Sequence, residues 1–208
     1  MATNAEFPVP DGCGEAAGAK APRWHSLGPF TVFDLETTGM SAVHDRIVEL
    51  AAVRIELDGT MTAYQSLVNP GRRIPYGAAA VHHITDEMVA AAPGFSEVAY
   101  RFLELAAGST LVAHNARFDL SFLQESLARC GLPLWQGKTM DSLRLVRQTY
   151  EGLPSYSLQN LRRIFRLEDT LEGMQAHRAG ADVAWTVQLL GKVLDELLVR
   201  EAARLGRL

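Results

Sequence analysis

Apolar and polar residues follow two rhythms along this chain, and the changes between them outline its elements. Residues 1–27 follow neither; they are rich in Ala, Gly and Pro, and a flexible tail is expected there. Thr31-Val32-Phe33-Asp34-Leu35-Glu36-Thr37-Thr38-Gly39 then predicts a strand running into a Gly-ended turn. Ile47 to Leu57 and Met61 to Val68 are two further strand-like runs, and Asp58-Gly59 between them signals a hairpin. Pro70, Gly71 and Pro75 break the pattern, Thr85-Asp86-Glu87 opens a short helix, and Phe95 to Ala106 reads as another. Thr110 to His114 is a short apolar strand, followed by Asn115 as the N-cap of a helix that ends near Cys130 before Gly131 and Pro133. A strand is expected over Thr139 to Asp141 and a helix over Leu143 to Tyr150. Ser157 should cap a helix with Leu158, Leu161, Ile164 and Phe165 on its apolar face. The last helix runs from near Ala179 to Arg204, with Val183, Val187, Leu190 and Leu194 on one stripe. Three successive strands followed by alternating helices and strands predict an α/β fold, a mixed sheet flanked by helices, as one domain over 28–208.

Three places in this pattern carry acids that could do chemistry. A strand alternates its side chains, so Asp34 and Glu36 share one face while Phe33 and Leu35 share the other. Two carboxylates on an otherwise apolar strand repel each other and resist burial. A hard divalent cation, Mg²⁺ or Mn²⁺, relieves both problems; two solvated acids at a strand end are the plainer alternative. Asp119 lies on the stripe of Phe122 and Leu123 and so faces inward, toward a metal, an Arg or a helix N-terminus. His177 and Asp182 would point about 140° apart on one continuous helix. They can share a site only if His177 precedes the helix and Asp182 lies in its first turns; a surface His and a helix-start Asp are the alternative.

Charge and cysteine content narrow the reading. Twenty Lys and Arg against 24 Asp and Glu give a net charge of −4, which argues against broad duplex binding through a basic face. Arg162, Arg163 and Arg166 could touch phosphates, although a solvated helix face is the simpler reading. Cys13 and Cys130 form no metal or disulfide pattern, so a reducing, cytoplasmic setting is expected. No signal peptide or membrane span is visible.

Taken together, Phe-Asp-Leu-Glu-Thr-Thr-Gly at 33–39, His-Asn-x-x-Phe-Asp-x-x-Phe-Leu at 114–123 and His177 with Asp182 resemble the three ordered motifs of the DEDD exonuclease superfamily, His subclass. The resemblance runs from about Phe30 to Leu190 and is strongest to the proofreading epsilon subunits of bacterial DNA polymerase III. It implies a ribonuclease H-like fold with a mixed five-stranded sheet. It also implies 3′→5′ release of 5′-mononucleotides from single-stranded DNA, with a replicative polymerase as a partner. The alternative within the class is an RNA or oligonucleotide trimmer of the ribonuclease T or oligoribonuclease type; a catalytically silent nucleic-acid-binding module is the alternative outside it. The resemblance further implies two divalent cations held by Asp34, Glu36, Asp119 and Asp182, with His177 as general base. Thr37, Thr38 and Gly39 then lie beside the terminal sugar, together with Asn115. Leu35 and Phe118 could stack on the last bases or simply belong to the core, and His82 in Val81-His82-His83-Ile84-Thr85 is a further terminal-nucleotide contact by resemblance. The family often has Gly where His83 stands.

Overall fold

Strand β1 (Phe30–Thr37) is central in the sheet, with a strand paired on either edge, and its faces are buried because helices pack against both sides of the sheet. Its odd-numbered residues Phe33 and Leu35 enter one apolar cluster, and its even-numbered Phe30 and Val32 enter another. The computed structural model describes residues 23–169 and 178–206. β2 (Ile47–Ile55) and β3 (Met61–Leu67) form an antiparallel hairpin, with Gly59 at φ +89° in the turn and Thr60 N–H donating to Asp58 Oδ1. β4 (Thr110–Ala113) and β5 (Thr139–Asp141) run parallel to β1 on its other side. The sheet order is β3-β2-β1-β4-β5, the mixed five-stranded sheet expected from the sequence.

Seven helices among the described residues cover this sheet: α1 (Tyr76–His82), α2 (Asp86–Val89), α3 (Phe95–Ala106), α4 (Ala116–Arg129), α5 (Ser142–Thr149), α6 (Leu158–Phe165) and α7 (Ala179–Arg204). Phe102 of α3 and Phe122 of α4 pack with Phe33 in one layer. Each such fully buried side chain stabilises the fold by about 1.5–3 kcal/mol relative to exposure. On the opposite face the α7 stripe of Val183, Val187, Leu190 and Leu194 covers Val32, Ala51, Val53 and Ile55. The other side of α7 presents Trp185, Leu189 and Val193 to α5 and α6. α7 is therefore buried on two sides, and it crosses the sheet at β1 and β2.

Four local expectations differ from the structure. α1 follows a stretch that reads as broken by prolines; only His82 within it is buried, so it has no apolar stripe to betray it, and Pro75 occupies its N-cap position. Asn115 precedes α4 in a left-handed conformation (φ 68°, ψ 50°) with no side-chain cap bond, and its N–H donates to Asp141 Oδ1 at 3.1 Å instead. Ser157 stands at the N-cap of α6 without a side-chain bond, and Ile164 is 40% exposed on that helix instead of facing the core. The tail expected over 1–27 lies outside the described residues up to 22, and Trp24–Leu27 form a 3₁₀ turn docked on α7. Trp24 stacks on Phe30 and its N–H donates to Asp195 Oδ1 at 3.1 Å.

Candidate active site

The pairing of β1 with β4 ends at Val32 and Val112. Beyond that point the backbone of β1 needs another partner, and Leu35 N–H donates to Asp119 Oδ1 at 3.2 Å. Asp119, 3% exposed in the first turn of α4, thus occupies the place of a missing rung and brings its carboxyl to the end of β1. Asp34 and Glu36 rise from the face of β1 that α7 covers. Asp34 is cross-strand from the small Ala51, and Glu36 is cross-strand from Glu49. The first turn of α7 lies over this face and adds Asp182, 8% exposed. Carboxylate oxygens of Asp34, Glu36 and Asp182 all lie within 4.8 Å of one another.

Asp34, Glu36 and Asp119 hold their protons well above the ordinary carboxylate range. For Asp34 burial is the largest cause, followed by the charges of Asp119, Asp182 and Glu36. Glu36 is pushed up to about 9, by burial and then by Asp182, Glu49 and Asp119, with Arg178 opposing. Asp119 is pushed up to about 8 by burial, against the stabilising N–H bonds from its own backbone and Leu35. A divalent cation among these oxygens removes the repulsion and supplies the solvation that burial takes away. A set of hard carboxylate donors fits Mg²⁺ or Mn²⁺ better than a softer metal.

The remaining predicted residues fall into different surroundings. His177 lies outside the described residues; Arg178, next to it, is bonded to Glu49 through Nε (3.0 Å) and Nη2 (2.7 Å). The Thr37 hydroxyl donates to Gly39 O at 2.6 Å, and the Thr38 hydroxyl donates to Asp45 Oδ1 and accepts from Arg46 N–H. These two hydroxyls are thus committed to the turn instead of presenting free protons to a sugar. Gly39 is pressed against the Asp45 carboxylate, which a Cβ would meet at 2.5 Å. Leu35 is 4% exposed and packs in the apolar cluster with Phe33. Phe118 is only partly buried against Phe122, ring centroids 4.9 Å apart, and keeps surface for stacking. His82 is 2% exposed, with Nδ1 accepting from Ile84 N–H at 3.0 Å, and burial pushes its imidazole toward the neutral form. Asn115 is exposed beside α4. His114 is bonded to Ser142 Oγ and Tyr156 O, a structural link between β4 and the segment before α6. Arg162 is paired with Asp169 and lies over the Trp185 ring at 4.5 Å, a structural use of that basic run.

Sequence reasoning missed Glu49, Gln65 and Arg178. The signal available was Glu49 as a lone acid in Ile47-Val48-Glu49-Leu50-Ala51-Ala52-Val53, a run buried throughout.

Residues 31–190 match a family model described as Exonuclease. DNA polymerase III subunit epsilon of Treponema pallidum is 37% identical over 167 residues, covering 79% of this chain and 76% of that protein. DNA polymerase III PolC-type of Caldanaerobacter subterraneus is 36% identical over 170 residues, covering 82% of this chain. This chain spans only 12% of the length of that PolC-type polymerase and 27% of an epsilon-like protein from Rhodobacter capsulatus. Among solved structures, Exonuclease X in complex with 5′ overhanging duplex DNA superposes with a TM-score of 0.67 at 30% identity, covering 80% of this chain and 91% of that one. The five-stranded mixed sheet, the acids gathered at the end of its central strand and these similarities lead to one assignment: the chain belongs to the exonuclease family.

Proposed function

We propose that this chain is a metal-dependent 3′→5′ exonuclease that removes nucleotides from single-stranded DNA ends and releases 5′-mononucleotides. The observation that carries the reading is the meeting of Asp34, Glu36 and Asp182, from the start and the end of the fold, within 4.8 Å. Asp119 stands beside them, close enough to raise the Asp34 pKa. The similarity to polymerase III epsilon subunits and to a DNA-bound Exonuclease X favours DNA as the substrate.

In this reading Asp34, Glu36 and Asp182 would hold one divalent ion, Mg²⁺ or Mn²⁺, and Asp119 would help to hold a second. When bound, such a pair supplies charge stabilisation for both the attacking and the leaving oxygens of a phosphodiester. His177 takes a proton from the attacking water as the new P–O bond forms. The bond from phosphorus to the 3′ oxygen of the shortened strand breaks, and that oxygen is protonated. An imidazole with a reference pKa near 6.5 suits the proton transfer at neutral pH. Phe118 offers a partly exposed ring for stacking on a terminal base, a contact that tolerates any sequence. The shape of the turn at Thr37, Thr38 and Gly39 sets the wall beside the sugar through its main chain, His82 lies next to Thr37, and Asn115 is a further contact to the terminal nucleotide. A replicative polymerase is the partner this reading favours, in a cytoplasmic setting; no described helix is long and apolar enough to cross a membrane.

The test is digestion of matched single-stranded DNA and RNA oligomers labelled at the 5′ end, with Mg²⁺ or with EDTA. The expected result is an EDTA-sensitive ladder shortening from the 3′ end, faster on DNA. Faster digestion of RNA would favour a trimmer of the ribonuclease T type, and no EDTA-sensitive digestion of either would overturn the reading.

A further inference from the structure

Glu49 is 1% exposed, and its position across from Glu36 places both carboxyls on the α7 face of the sheet. A fifth acid so close to the cluster adds repulsion, raising the pKa of Asp34 and of Glu36. Every bond that Glu49 accepts has a structural partner. Arg178 grips it with a two-pronged fork, Nε to Oε2 at 3.0 Å and Nη2 to Oε1 at 2.7 Å. Gln65 Nε2, from β3, donates to Oε1 at 2.9 Å. Ala179 N–H, the first of α7, donates to Oε2 at 3.1 Å.

That last bond sets where the helix begins. A helix start leaves its first N–H groups without partners, and a nearby side chain usually accepts from one of them. Arg178, at the N-cap, makes no such bond. The acceptor comes from a strand 130 positions earlier in the chain, and its negative charge also complements the helix dipole. Ala179, Gly180 and Ala181 are all buried, and their small size lets the turn sit low on the sheet. A Cβ at Gly180 would come 2.7 Å from Gln65 Oε1. Asp182 N–H closes this turn on Arg178 O at 3.2 Å, so the residue held by Glu49 also anchors the backbone of the last acid in the cluster.

We propose that Glu49, with Arg178 and Gln65, is a positioning residue. The three side chains form a buried clamp that fixes the first turn of α7 on β2 and β3 and so sets where Asp182 meets Asp34 and Glu36. Because both Glu49 oxygens are committed to the clamp, Glu49 does not join the cation ligands. The proposal rests on the metal-site reading given above.

Calorimetric titration of Mn²⁺ into the full chain tests it, with folding checked by circular dichroism at the same temperature and kcat and KM measured on single-stranded DNA. Glu49→Gln is expected to bind Mn²⁺ roughly tenfold more weakly and to lose kcat by a similar factor while KM stays close to wild type. Gly180→Ala keeps every clamp side chain but lifts the turn, and is expected to weaken Mn²⁺ in the same direction; it serves if Glu49→Gln fails to fold. Arg178→Lys keeps the charge without the fork and should fall between wild type and Glu49→Gln. Wild-type Mn²⁺ affinity in folded Glu49→Gln or Gly180→Ala overturns the clamp and leaves the metal-site reading standing. No Mn²⁺ binding by the wild type overturns both.

Discussion

Removing metal and then raising the pH should destabilise this protein, the reverse of what most surface carboxylates do. Glu36 and Asp119 are carboxyls whose pKa rises on folding, from 4.5 to about 9 and from 3.8 to about 8, mainly through burial. Between those limits the folded chain keeps protons that the unfolded chain has released. Stability therefore falls as pH climbs through the window and is greatest near its acidic end. Each such proton is worth about 1.4 kcal/mol per pH unit, so two give at most about 2.7 kcal/mol per unit between pH 5.5 and 7.5. For a chain of this size that corresponds to up to about 5–10 °C in melting temperature per pH unit. The assay is thermal unfolding in EDTA across that pH range, repeated with excess Mg²⁺ or Mn²⁺. The metal-free melting temperature should drop steeply with pH, the metal-loaded curve should be flatter, and Asp34→Asn should give a shallower metal-free slope. A metal-free melting temperature that holds level or rises from pH 5.5 to 7.5 would refute the reasoning that buried, mutually repelling acids form this cluster.

Asp34→Ala should abolish Mn²⁺ binding in calorimetry and raise the metal-free melting temperature, since it removes repulsion from Asp119, Asp182 and Glu36; unchanged Mn²⁺ affinity would count against the cluster. His177→Ala should keep fold and metal affinity but lose roughly 10²-fold or more in kcat, the scale of general-base catalysis; near-wild-type turnover would remove that role. His83→Gly should stabilise the fold by about 1 kcal/mol in urea denaturation, because His83 ends α1 at φ 60°, where a Cβ is unfavourable. A loss of stability in that variant would mean that the His83 side chain makes up for its backbone strain.

Elements with a strong apolar period were legible before any coordinates. α3 and α7 span the ranges read for them, and the hairpin turns at Asp58-Gly59. Elements without such a stripe were not, and α1 is the clearest case because its one buried side chain is a histidine. In the site, Asp34, Glu36 and Asp119 were visible as acids in apolar company, whereas Asp182 stood out only through its place in the third of three ordered motifs. Local reasoning could not reveal that the Thr38 hydroxyl is held within its own turn, since Asp45 and Arg46 reach back from the far side of a loop. Glu49 escaped notice for a similar reason. Its partner Arg178 lies 129 positions away, and only the descent of α7 onto β2 brings them together.

The order of the chain gives the position of α7 a further consequence. Synthesis delivers the whole sheet, with Asp34, Glu36 and Asp119, before the segment that carries Asp182. A partly made polypeptide can pair its strands yet has no complete acidic cluster, and Glu49 waits in it without Arg178. The catalytic centre proposed here is thus complete only once α7 has joined the growing polypeptide, and until then the sheet is unarmed.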